Sequence, residues 1–298
     1  MQNYFKEIKK CLSMLKYNFT QTMIFELIFN AISLGTIYLL NKLIFSFTLK
    51  VNHIEYLSNA TFWTWLRSPI TIIVIFISFF IWLFISIIEV SAMIRNYNSK
   101  FKINCFQMFQ YGIEDAKKIF NEKSTRLIWY IVVIIPAMGA IGAFNFNISV
   151  FFPEYIYSFI NSHLILLILM IIGFIILYIY SNKWIYTLFY FQLKNTNIKD
   201  AIASTNKKMK AELIHTLIGK LILTIAVLLI IIAINLVILF FIIVFIRIFM
   251  NNESGYELSL NICYWIPKII LYFSQLLIIP ISISYITVIF KNKNHFTT

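Results

Sequence analysis

The chain has 298 residues, of which 60% are hydrophobic and only 12% charged, and its mean hydropathy is +0.83. A soluble core of this size does not need so much apolar material, so a water-soluble globular enzyme is excluded. The formal net charge of +13 does not point to nucleic acid, because the basic residues cluster beside apolar runs instead of forming a stripe on a soluble domain. The expected counter-charge is anionic phospholipid of an inner leaflet.

In chain order, the apolar runs are about 21–48, 68–94, 126–147, 163–192, 213–248 and 264–290. Each is long enough to cross a hydrocarbon core, which needs about 20 helical residues. Segments 1–20, 95–126, 183–220 and 291–298 hold 20 of the 25 Lys and Arg residues; the other side has only Lys42, Lys50, Arg67, Arg247 and Lys268. By the positive-inside rule, both termini are expected in the cytoplasm. Lys outnumbers Arg 21 to 4, a bias that fits an AT-rich bacterial genome and hence a multi-pass protein of a bacterial cytoplasmic membrane. The first apolar run is too long for a signal-peptide core and is expected to remain as an anchor.

Three basic, amphipathic stretches, at about 4–18, 104–122 and 198–212, precede spans one, three and five and read as cytoplasmic interfacial helices. In the first, Phe5, Ile8, Leu12 and Leu15 fall at helical spacing. In the second, Phe106, Phe109, Ile113 and Ile119 lie to one side, leaving Glu114, Asp115, Lys117 and Lys118 available to water. Lys117-Lys118, Glu122 and Leu127-Ile128 match Lys207-Lys208, Glu212 and Leu217-Ile218 at an offset of 90 residues. The match points to three units, each of one interfacial helix and two spans, with the first the most diverged. The expected architecture is one all-α integral membrane domain over residues 1–298.

Outside the spans, Tyr56, Trp63 and Trp65 carry amphipathic rings suited to the outer interface, and Pro69 opens span two in its first turn. Residues 148–162 hold no basic residue and are apolar enough to lie along that interface or to fold back against the bundle. Cys11, Cys105 and Cys263 form no pair on the outer side, so no disulfide framework is expected.

Tyr56-Leu57-Ser58-Asn59, followed by Trp65-Leu66-Arg67-Ser68-Pro69 opening an apolar span that runs to about Glu89, resembles the membrane domain of bacterial glycerophosphoryl diester phosphodiesterases. Pro153-Glu154-Tyr155-Ile156 and Asp200-Ala201-Ile202-Ala203-Ser204 resemble corresponding stretches, and the similarity runs from about residue 10 to 290. The resemblance implies a membrane domain that usually precedes a metal-dependent catalytic barrel. Such a barrel opens with His-Arg-Gly and carries Glu-Asn-Thr soon after, and neither tripeptide occurs here; His53, His163, His215 and His295 precede Ile, Leu, Thr and Phe. The expectation is therefore a relative of the membrane domain alone, or a chain lacking the catalytic part, and not an enzyme.

No His-Glu-x-x-His, Cys-x-x-Cys, phosphate-binding glycine loop or Gly-x-Ser-x-Gly elbow is present, so no catalytic residue, metal site or cofactor is expected. The chemistry-bearing positions are charged and polar groups within spans: Glu26, Glu89, Arg126, Asn182, Lys183, His215 and Lys220. Glu26 and Glu89 sit at matched depth, roughly 8–9 Å from the cytoplasmic edge at 1.5 Å per residue. Ionisable groups there are costly unless paired or hydrated. They either lock the bundle through pairs such as Glu26 or Glu89 with Lys183, Lys220 or Arg126, or line an inward-facing site for a lipid head group, a peptide or an ion. The expected partners are membrane phospholipids, with a phosphodiesterase, an ABC transporter or a peptide as the protein alternatives. Lipid or protein engagement is the first functional reading, a peptide-export or immunity component the second, and a small-molecule transporter the third.

Overall fold

A computed structural model describes residues 2–56, 58–99, 101–122, 164–194, 196–249, 261, 265–266, 276–277 and 279–291. Its elements are α1 (Gln2–Val51), α2 (Asn59–Arg67), α3 (Pro69–Asn98), α4 (Cys105–Asn121), α5 (Leu164–Lys194), α6 (Ile198–Phe249) and α7 (Ile279–Lys291). No strand occurs among the described residues. Among the described residues two helices, Tyr4–Val51 and Ile214–Phe245, are long and apolar enough to cross a membrane. A third crossing results if Thr61–Arg67 and Pro69–Ser78, bent by 74°, act as one. The expected span 126–147, the loop 148–162, Arg126 and Cys263 lie outside the described residues.

The first and third basic stretches are not separate helices. α1 contains no proline and only Gly35, so nothing interrupts it between the charged segment and the apolar run, and α6 is likewise continuous. At 1.5 Å per residue α1 is about 75 Å long. That exceeds the ~40–45 Å of a whole bilayer with its head groups, so a straight α1 carries its charged end beyond the apolar layer. α1 stops in a Schellman turn: His53 takes φ 54°, its N–H bonds the Lys50 carbonyl at 3.2 Å, and the Ile54 N–H reaches Leu49 at 3.0 Å. Asn52 donates to Thr71 Oγ1 at 3.1 Å, and Trp65 Nε1 donates to Thr48 Oγ1 at 3.0 Å. These bonds tie α1, α2 and α3 together at that end. Trp65 is thereby buried, whereas Trp63 remains exposed.

The packed core lies at the other end. Every residue of α7 from Pro280 to Phe290 is buried, so this helix is central. Lys291 Nζ donates to the Tyr97 carbonyl of α3 at 3.0 Å, and Phe290 packs on Phe189 and Tyr190 of α5 with ring centroids 5.2 and 5.1 Å apart. Gln192 of α5 donates to Ser91 of α3 at 2.6 Å. The C-terminal ends of α3, α5 and α7 thus converge, and the basic segments surround them.

Each of these three helices is met by another helix through a polar pair. Asp115 of α4 bonds Arg95 of α3, Thr205 of α6 bonds Thr187 of α5 at 3.1 Å, and Glu7 of α1 accepts from Tyr285 of α7 at 3.3 Å. Glu7, Asp115 and Thr205 are each followed, two and three residues on, by a Lys pair: Lys9-Lys10, Lys117-Lys118 and Lys207-Lys208. α7 thus contacts α1 through a polar pair as α3 contacts α4.

α4 begins at Asn104, which forms a reciprocal capping box with Gln107. Asp115 is 1% exposed and not in water as its flanking lysines imply, because Arg95 takes its carboxylate through two bonds of 2.7 Å. The expected apolar stripe of α1 is also divided. Ile8 and Leu15 pack on the core, whereas Phe5 and Leu12 are exposed. Exposed apolar residues continue along α6 from Leu229 to Phe245. A lipid-facing surface has this character, since hydrocarbon gives no reason to turn such side chains inward.

Candidate functional site

The inward face of α1 carries Glu7, Cys11, Asn18, Thr22 and Glu26, all buried. Their spacing of four or seven residues puts them on one stripe of the helix. That stripe is legible in the sequence once the whole of 2–51 is taken as one helix.

The stripe divides into two groups. Near the N-terminus, His215 Nε2 lies 3.0 Å from Glu7 Oε2, Tyr285 donates to the same oxygen, and Tyr4 stacks on the imidazole with centroids 4.3 Å apart. Next to it, Cys11 Sγ is 3.0 Å from Ser284 Oγ. Cys11 is fully buried, so its protection from a thiol reagent reports packing and not sidedness. Burial also raises the Cys105 thiol above its ordinary value.

Deeper along α1, Glu26 and Glu89 come together, their carboxyls within side-chain interaction range across the α1–α3 contact. Asn30 donates to Glu26 Oε2 at 2.9 Å and to the Glu26 carbonyl at 2.8 Å. One turn back, Asn96 of α3 donates to Thr22 Oγ1 at 3.0 Å. Among the described residues, Arg95 and Lys118 pair with Asp115, and His215 hydrogen-bonds Glu7. His215 therefore belongs to the Glu7 group, not to the Glu26–Glu89 group. Lys220 is buried on α6, five residues beyond His215. Asn182 and Lys183 lie on α5, with side chains outside the described residues, as is all of Arg126.

Glu7, Tyr285, Asn30, Asn96 and Tyr97 are site-forming residues that the sequence reading did not single out. Tyr285 has a local requirement of its own: a Cβ at Gly219 would overlap its hydroxyl, so a larger residue there would require the Tyr285 ring to move. No group of three His, Cys, Asp or Glu converges among the described residues.

Helices that bury polar groups against one another while leaving long apolar faces exposed fit a membrane domain, and the family comparison decides which. The model of the membrane domain of glycerophosphoryl diester phosphodiesterase matches residues 8–297. The chain belongs to that family. The match is to the membrane domain and covers nearly the whole chain, so the region compared contains no catalytic barrel. No curated protein and no solved structure matches the chain. Within this membrane domain, the Trp65 to Pro69 segment forms the bend between α2 and α3, and Asp200 to Ser204 lies in the first turns of α6.

Proposed function

We propose that this membrane domain acts without catalysis, as a six-span module of a bacterial cytoplasmic membrane that engages anionic phospholipid through its basic, cytoplasmic end. The observation that carries the reading is the outer face of α1: Lys6, Lys9, Lys10 and Lys16 are exposed beside exposed Phe5, Leu12, Tyr17 and Phe19, while the acidic Glu7 is turned inward. Lysines over an apolar surface suit a layer where acyl chains meet anionic head groups. Lys117, Lys118, Lys199 and Lys207 add exposed charge on α4 and α6 at the same end.

Each basic residue near such a surface contributes about 1 kcal/mol. Exchanging Lys6, Lys9, Lys10 and Lys16 together for Gln is expected to reduce the anionic lipid that co-purifies with the chain, quantified by mass spectrometry, and to flatten its salt dependence. Equal retention of anionic and zwitterionic lipid by the unaltered chain would remove the electrostatic basis of the reading. Release of glycerol phosphate from a glycerophosphodiester by the purified chain would overturn its non-catalytic part.

The orientation is proposed from the 20-to-5 charge split, and the convergence of the basic segments at one end of the helices supports it. In a background with the native cysteines replaced, Ser13→Cys is expected to resist a membrane-impermeant maleimide in sealed cells and to react after permeabilisation. Tyr56→Cys, at an exposed position, is expected to react in both. Reaction of Ser13→Cys in sealed cells would invert the topology.

A further inference from the structure

At 3.6 residues per turn, α4 divides around its axis into three faces. Met108, Gly112, Asp115, Ala116 and Ile119 are buried on the bundle. Beside them Phe106, Ile113 and Phe120, spaced by seven residues, form an apolar stripe that is 78, 36 and 36% exposed. Beyond the stripe, Gln107, Gln110, Glu114, Lys117, Lys118 and Asn121 are all exposed. The contacts of α4 fix which way the stripe looks. A Cβ on Gly112 would meet Ile88, Asp115 bonds Arg95, and Phe120 packs on Phe84 with ring centroids 5.4 Å apart. Taken in chain order along α4, these partners do not run in order along α3, so α4 crosses α3 and does not lie alongside it. Arg95 is near the end of α3, whereas Phe84 is at its middle, about 16 Å away at 1.5 Å per residue. On α1, the ring of Phe109 next to the stripe meets Phe25 at 4.7 Å and Phe29 at 6.1 Å, beyond Thr22 toward the apolar run.

The apolar edge of α4 therefore meets aromatic residues well inside α1 and α3, and its opposite edge meets Arg95 near the end of α3. We propose that α4 lies in the plane of the inner leaflet, with Phe106, Ile113 and Phe120 on acyl chains and Lys117 and Lys118 at anionic head groups. A helix in that position needs one face for protein, the next for hydrocarbon and the third for water, and α4 supplies them in that order around its circumference. Through Phe120 and Phe84 the stripe is continuous with α3, whose Phe76, Ile77 and Phe80 are themselves exposed. The neighbouring lysines complement the charge of the same leaflet. The inference rests on the reading that the basic end of this domain meets lipid, and adds to it an apolar contact that does not depend on lipid charge.

The test uses the purified full chain in lipid nanodiscs, in a background with the native cysteines replaced. Phe106→Cys, Ile113→Cys and Phe120→Cys on the stripe, and Gln110→Cys, Glu114→Cys and Asn121→Cys on the polar face, are each labelled with the fluorophore NBD. Spin-labelled acyl chains are expected to quench the three stripe labels, as they quench a label at Phe76→Cys on the exposed face of α3, and iodide quenching is expected to be lost there. Iodide is expected to quench the three labels on the polar face. Three positions on each face keep the comparison when one variant does not fold. The pattern is expected in zwitterionic and in anionic nanodiscs alike, so it stands if the lysines show no preference for anionic lipid, and it can fail while that preference holds. Equal iodide quenching on both faces would place α4 in the cytoplasm and overturn the proposal, as would acyl-chain quenching on both. Stripe labels shielded from both quenchers would overturn it too, because a protein surface such as a second copy of the chain would then cover the stripe.

Discussion

Arg95→Ala is expected to destabilise the protein by about 3–5 kcal/mol, because it leaves the Asp115 carboxylate buried and charged without its bidentate partner. Asp115→Ala is expected to cost less, since the Arg95 side chain is 31% exposed and can turn its guanidinium to water. Lys118 does not compensate: its ammonium is 3.8 Å away and largely exposed. The double exchange of Arg95 to Met and Asp115 to Leu is expected to recover much of the loss, because replacing a buried pair with apolar groups removes both desolvation terms. Melting curves of the four proteins decide it. An Arg95→Ala variant as stable as the unaltered chain would show that this pair does not hold α4 to α3.

Gly112→Val is expected to be comparably damaging. A Cβ at Gly112 would stand 2.6 Å from the Ile88 carbonyl oxygen and 2.9 Å from Ile88 Cγ2, and the first of these is backbone that cannot rotate away. α4 would have to lift from α3, at about 1–3 kcal/mol for overpacking alone. Gly35 supplies the contrast, since nothing lies within 4 Å of its added Cβ. Gly35→Ala is expected to stabilise α1 by up to about 1 kcal/mol, the difference in helix propensity. Opposite signs at these two helical glycines, measured by the same melt, separate close packing from propensity; destabilisation at both would remove the distinction.

Membrane character, helical class and family were legible in the sequence because they rest on quantities that need no partner. Apolar run length sets what can cross a bilayer, and short motifs such as Trp65 to Pro69 carry the family. The burial of Glu26 and Glu89 within helices was legible from their place in apolar runs. What surrounds those positions was not. Asp115 sits beside two exposed lysines in sequence, and only the packing of α4 on α3 reveals that it faces Arg95. His215 was one member of a single intramembrane set, yet the passage of α6 over α1 gives it to Glu7 and Tyr285. Nothing in the sequence announces that Asn30 donates to the Glu26 carboxylate or that Asn96 of α3 donates to Thr22 of α1. The reason is that hydropathy and charge are properties of one residue or one helix, while the satisfaction of a buried polar atom depends on which atom of a distant helix stands opposite it, and only tertiary packing decides that.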